Sequence, residues 1–421
     1  MLKRISFVLI SVLLVISILP LAVTAQEGDE PQATGLRPDA PAYGVHGPYP
    51  VGTMEFVIED TRHPLPITLW YPALNPDGAE EIVSYAVDLG EGLPSVTVNG
   101  HALLDAEPDF TAGPYPLVIF SHGNAMFRTE AVYLTEHLAS YGFAVIAVNH
   151  TGTAAPDAWP NAPEVYRPND IVGMIHRPLD ITSVIDYATM LATDDGALSG
   201  LIDTKRVAHM GWSYGGYVTL AAGGAQLDYD AFEAWCAETT TWGPHEHQMC
   251  YLVGHNEELA EIAGLDAVPS GLWPSLGDPR IDALVGFSPG RIPAFGTNGL
   301  ASLTLPMMVF VGSNDTDSPP ERYVYPMYER IGSAQKILAV FEGADHYIFA
   351  GDCSATPWMV DFGLYGICSD AVWDLDRAHD LINHLTTAFL LAELYGDEDA
   401  TAALSAEAVQ FPSVTYETTG Y

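Results

Sequence analysis

Gly211-Trp212-Ser213-Tyr214-Gly215, followed by Gly216, forms a G-x-S-x-G pattern. Small residues around a serine permit the sharp strand-to-helix turn that stands a hydroxyl out at a strand end. The setting agrees, because Arg206–Trp212 reads as a strand and Gly215–Gly223 as a small-residue helix. A serine hydroxyl is a weak nucleophile until a base takes its proton, and that base needs a third group to orient it. On a turn of this kind the partners follow in the order serine, acid, histidine. Asp315 lies in Gly312-Ser313-Asn314-Asp315-Thr316-Asp317, just after the apolar run Met307–Val311. His346 lies in Gly343-Ala344-Asp345-His346, just after Ile337–Phe341. Both therefore fall at carboxyl ends of strands, where open parallel sheets place their sites. Asp317 is a rival for the acid, whereas Asp345 adjoins the histidine in sequence and is poorly placed to orient it.

Acyl transfer through Ser213 also needs two backbone N–H donors for the oxyanion. Tyr214, the residue after the nucleophile, supplies one in this reading. The loop Ser121-His122-Gly123-Asn124 supplies the other, from Asn124 or alternatively from Ala125. Gly123 allows a close backbone turn there, and His122 reads as a loop-shaping residue and not as a second base. This chemistry requires no cofactor and no metal. His245-Glu246-His247 is a weak metal-binding pattern, because ligands at i and i+2 point to opposite faces of a strand; it reads as a surface loop.

These residues need strands that end together. Apolar runs at Pro116–Phe120, Phe143–Val148, Arg206–Trp212, Ala283–Phe287, Met307–Val311 and Ile337–Phe341 alternate with helical stretches near 129–140 and 177–192. Continuous apolar strands separated by helices predict an α/β fold with a mostly parallel sheet covered on both faces. Met54–Ile58 and Ile67–Tyr71 read as an antiparallel start to that sheet, and 73–114 as a turn-rich connection. A helix near 374–394 closes a domain spanning 43–395, and 396–421 reads as a loosely ordered tail. Residues 225–281 break the rhythm and hold Trp235, Trp242 and Trp273. They are either a cap over a substrate pocket or a solvent-facing decoration.

The ends and the composition constrain where the chain works. Met1-Leu2-Lys3-Arg4 followed by the apolar run Ile5–Val23 and Val23-Thr24-Ala25 has the form of a secretory signal peptide, with cleavage expected after Ala25. An uncleaved segment would be the one route to a membrane. Residues 26–42 read as a mobile leader. Four cysteines fit export; Cys236 with Cys250 and Cys353 with Cys368 would each close a local loop, although four cysteines allow three pairings. Fifteen Lys and Arg against 54 Asp and Glu give a net charge of −39, and only Lys3, Lys205 and Lys336 are lysines. Such a chain repels nucleic acid. Its 48% hydrophobic content excludes a wholly disordered protein.

Several blocks together resemble the secreted α/β-hydrolases of the platelet-activating-factor acetylhydrolase and bacterial "predicted dienelactone hydrolase" group. They are Gly47–Gly52, Leu69-Trp70-Tyr71-Pro72, Pro116–Gly123, Phe127-Arg128-Thr129, Leu138–Phe143, Arg177–Ile181 and His346–Phe349. The resemblance runs from about 44 to 390. It implies an α/β-hydrolase fold and hydrolysis of short-chain acyl or phospholipid-like esters by a serine enzyme, with a small-molecule or lipid ester as its partner. There are two departures. The acetylhydrolases carry the acid after the strand that here ends at Phe287, where this chain has Ser288-Pro289-Gly290; the acid therefore falls one strand later, at Asp315. True dienelactone hydrolases use a cysteine nucleophile, and this chain has Ser213. Polyester or lipase-type hydrolysis is the alternative within the class. A non-catalytic binding protein on the same scaffold is the alternative outside it.

Overall fold

A computed structural model describes residues 40–59, 62–160, 163–193, 195–238 and 249–421. The expected signal peptide, most of the leader and His245-Glu246-His247 lie outside the described residues. The strands are β1 (Val51–Glu59), β2 (Pro64–Pro72), β3 (Val83–Val87), β4 (Val96–Gly100), β5 (Leu103–Leu104), β6 (Tyr115–Ser121), β7 (Ala144–Val148), β8 (Ile202–Trp212), β9 (Ile281–Phe287), β10 (Met307–Gly312), β11 (Lys336–Phe341) and β12 (Val414–Thr419). Ten of them form one sheet in the order β12-β11-β10-β9-β8-β6-β7-β2-β1-β5, and β3 pairs with β4 in a separate hairpin.

The strands from β7 through β6, β8, β9 and β10 to β11 run parallel. Every residue of β6, β7 and β10 is buried, as expected of strands covered on both faces. Helices Val132–Ser140 and Leu375–Tyr395 cover one face. Helices Pro163–Ala192 and Tyr214–Ala222 cover the other. Register then levels the strand ends: Ser121 is opposite Gly211, Trp212 opposite Phe287, and Phe287 opposite Phe310. The residues that follow these positions emerge along one rim.

Three stretches differ from the sequence reading. The helix expected at 177–192 begins at Pro163 and contains both Pro168 and Pro178. A proline inside a helix removes one N–H and orphans the carbonyl four residues earlier. For Pro178 that carbonyl belongs to Met174, and the Tyr217 hydroxyl donates to it at 2.8 Å. The neighbouring helix thus replaces the lost bond. The turn-rich connection 73–114 carries the β3–β4 hairpin, pinned where Tyr85 Oη and the His101 N–H both donate to the buried Glu136 carboxylate at 2.7 Å.

The supposed tail 396–421 is the third difference. It forms a helix at Glu398–Ala403, capped by the Asp397 side chain, and then β12, which pairs antiparallel with β11 from Val414 to Thr419. Its polar alternation (Val-Thr-Tyr-Glu-Thr-Thr) suits an edge strand with one half-buried face, and charge on such an edge discourages further pairing. Leu404 and Val409 are buried beneath it. Truncation after Ala403 is expected to lower Tm by roughly 5–10 °C, since two buried aliphatic side chains and a strand are lost. It should also expose the β11 edge and raise light scattering on heating. An unchanged melt would contradict this account.

Candidate active site

Ser213 is the pivot between β8 and the helix Tyr214–Ala222. Its φ of 56° is the left-handed region that a residue with a Cβ seldom adopts. Three backbone bonds hold it: Ser213 N–H donates to the Phe287 carbonyl at 2.9 Å, and its own carbonyl accepts from Gly290 at 2.8 Å and Tyr217 at 3.2 Å. The turn is tight enough that a Cβ on Gly215 would lie 1.9 Å from the Ser121 carbonyl oxygen. Only glycine fits, which is the physical content of the last position of the pattern.

Asp315 and His346 emerge after β10 and β11. His346 Nδ1 hydrogen-bonds Asp315 Oδ2 at 2.8 Å. The other carboxylate oxygen accepts from the N–H groups of Asp317 and Ser318 at 2.8 and 2.7 Å. Asp317, the rival acid, thus contributes a backbone donor to Asp315, and its side chain borders the cleft. Asp345 accepts from the His346 backbone N–H at 2.7 Å and caps the short turn that carries the histidine. The Trp212 ring packs 5.2 Å from the imidazole, and its Nε1–H donates to the His346 carbonyl at 3.2 Å.

The electrostatics follow from this arrangement. Burial pushes Asp315 up, but the His346 charge and hydrogen bond, with the Ser318 N–H, outweigh it and hold the carboxyl below its ordinary value. Burial pushes His346 down, yet Asp315 beside it, helped by Asp317 and Asp345, raises the imidazole above 6.5. Ser288, the first residue after β9, is buried, and its N–H donates to the Phe310 carbonyl at 2.8 Å.

A cleft of about 420 Å³ is lined by Asn124, Trp212, Ser213, Tyr214 and His346, with Met126, Met249, Tyr323 and Arg291 among its walls. Asn124 and Tyr214 therefore border the same space as the serine. Ala125 does not remain a donor candidate, because its N–H is committed to the Thr153 carbonyl at 3.2 Å. Gly123 has a different reason from the one its sequence setting suggests: a Cβ there would meet the Trp212 ring at 2.8 Å. Met249 comes from the 225–281 insertion and is followed by Cys250, which is bonded to Cys236; the second bridge joins Cys353 and Cys368. The sequence gives no hint of Arg291, whose guanidinium meets both oxygens of Asp170 at 2.6 and 2.8 Å. Its proximity to the cleft arises from the turn after β9, which no local pattern marks. Among the described residues no group of three or more His, Cys, Asp or Glu side chains is arranged to hold a metal ion.

A ten-stranded, mostly parallel sheet with a serine on a strand-to-helix elbow is the α/β-hydrolase fold. The comparisons agree. Residues 37–160 match the family profile of platelet-activating factor acetylhydrolase, isoform II. The platelet-activating factor acetylhydrolase of Cavia porcellus is 31% identical over 125 residues, covering 26% of this chain and 29% of that protein. A ferulic acid esterase from Streptomyces cinnamoneus superposes with a TM-score of 0.53 at 20% identity, covering 88% of this chain and 96% of that one. The likeness in sequence is confined to residues 37–160, and the chain spans about 29% of the length of the acetylhydrolase it matches.

The pairing of His346 with Asp315 has a direct readout. By NMR the imidazole is expected to titrate above 6.5. Asp315→Asn removes the largest of the charges that raise it, so the midpoint is expected to fall. An imidazole whose titration ignores this substitution would show that Asp315 does not govern it.

Proposed function

We propose that this chain is a secreted carboxylic ester hydrolase working through Ser213, His346 and Asp315. The observation that carries the reading is the 2.8 Å His346–Asp315 hydrogen bond in a cleft shared with a serine on a positive-φ elbow. In this mechanism Ser213 Oγ attacks the acyl carbonyl while His346 Nε2 takes its proton. Asp315 keeps the proton on Nδ1 and stabilises the imidazolium. The N–H groups of Asn124 and Tyr214 receive the oxyanion, each such donor being worth about 10²–10³ in rate. The imidazolium then protonates the leaving alcohol, and water, activated by the same histidine, releases the acyl group from Ser213.

Short-chain acyl or phospholipid-like esters are the substrates this reading favours, supported by the acetylhydrolase likeness over 37–160. Two disulfides fit an extracellular protein, and secretion itself rests on the signal-like N-terminus. Among the described residues no helix is long and apolar enough to cross a membrane. Met249, placed by the insertion against the cleft, supports a role for 225–281 as a pocket wall.

Hydrolysis of p-nitrophenyl esters from acetate to palmitate tests the proposal. Activity is expected to peak at short chains and to fall at least 10⁴-fold in Ser213→Ala with the circular dichroism spectrum unchanged. Since the working base is neutral imidazole, kcat/KM should decline as pH falls through a midpoint above 6.5. Activity rising toward palmitate would favour a lipase or polyester hydrolase, and full activity in Ser213→Ala would sink the assignment.

A further inference from the structure

Arg177 is 1% exposed, and its guanidinium is spent on backbone. Nη1 donates to the His122 carbonyl at 2.9 Å, and Nη2 to the carbonyls of Gly123 at 3.3 Å and Thr153 at 3.1 Å. Nε donates to Thr153 Oγ1 at 2.7 Å. The same guanidinium lies 4.1 Å from the ring centroid of Tyr214, and Arg291 lies 3.9 Å from it. Two guanidinium groups that close to one centroid must take opposite faces, so the Tyr214 ring is clamped between them.

The peptide geometry gives these contacts a direction. In a trans peptide the C=O of one residue and the N–H of the next point opposite ways. The 122–123 unit is gripped at both ends: its carbonyl meets Arg177, and the Gly123 N–H donates to Glu130 Oε1 at 2.9 Å. The next unit has its Gly123 carbonyl turned to Arg177 and to His122 Nδ1, which donates at 2.7 Å. The Asn124 N–H is therefore turned away from Arg177, and Asn124 lines the cleft beside Ser213. We infer that Arg177 is the positioning residue of the oxyanion hole, orienting the Asn124 N–H through the Gly123 carbonyl and holding Tyr214 through its ring. This role rests on the ester-hydrolase reading, and Arg177 itself touches no substrate. A lysine cannot replace it, because an ammonium has neither the planar fork nor the stacking face.

The test compares wild type with Arg177→Lys on p-nitrophenyl acetate, with thermal unfolding alongside. kcat is expected to fall about 10²-fold, the scale of losing one oxyanion donor, with KM within about threefold. A trifluoromethyl ketone, which forms an oxyanion adduct on serine, should bind more weakly by the same factor as kcat/KM falls. An arginine with a purely structural role would lower Tm and leave kcat per folded molecule and ketone affinity unchanged, which overturns the assignment. If Arg177→Lys does not fold, Thr153→Val carries the test by removing the hydroxyl that receives Nε. It should cost about tenfold in kcat, a fraction of deleting a donor outright, and no loss overturns the role. If wild type is inert on esters, the hydrolase reading fails separately, and fluorophosphonate labelling of Ser213 reads the hole instead. Labelling slowed about 10²-fold in Arg177→Lys supports the role, and equal rates overturn it.

Discussion

The site depends on one backbone constraint, the left-handed turn at Ser213. A residue with a side chain resists that conformation, and it persists only where surrounding bonds over-determine it. Here β9 supplies an acceptor through Phe287 and the following loop a donor through Gly290, while Gly215 lets the first turn of the helix close on the end of β6. The elbow is thus a joint product of three parallel strands. It could not form in an isolated β8–helix segment, because two of its restraints come from residues more than seventy positions downstream.

The rim of the sheet supplies the remaining parts by the same logic. Parallel register brings the ends of β6, β8, β9, β10 and β11 to one level, so each loop leaving the rim needs only a few residues to reach the cleft. Short reach gives precision. Asp315 is fixed by two backbone donors within three residues of itself, and His346 by Asp345 and by the ring of Trp212. Burial would otherwise neutralise both side chains. Each keeps the other's charged form accessible, which is why their shifts run against the effect of desolvation.

Much of this arrangement was legible in the residues, for specific reasons. Buried parallel strands are continuous apolar runs, and Leu117–Phe120 or Met307–Val311 admit little else. The serine motif carries its own geometry, and Asp315 and His346 follow directly after strands. What escaped had no local signal. Pro178 reads as a helix boundary because the hydroxyl that replaces its missing bond sits on Tyr217, in another helix. β12 is too polar and short to read as a strand until β11 gives it a partner. Asn124 and Ala125 are equivalent in sequence, and the Thr153 carbonyl distinguishes them. The place of Arg177 and Arg291 beside Tyr214 has no local signal, since packing against that ring is a tertiary fact.

The Cys236–Cys250 bridge separates two kinds of chain around one cleft. Strand ends and their loops hold Ser213, Asp315 and His346, whereas Met249 arrives on a stapled excursion between the elbow helix and β9. The staple closes within the excursion, yet the excursion is tied to the rest of the fold: the Tyr251 hydroxyl donates to Asp170, whose oxygens also hold Arg291 beside the cleft. A new side chain at Met249 would reshape one wall, whereas a new length in the excursion would also be felt at Arg291.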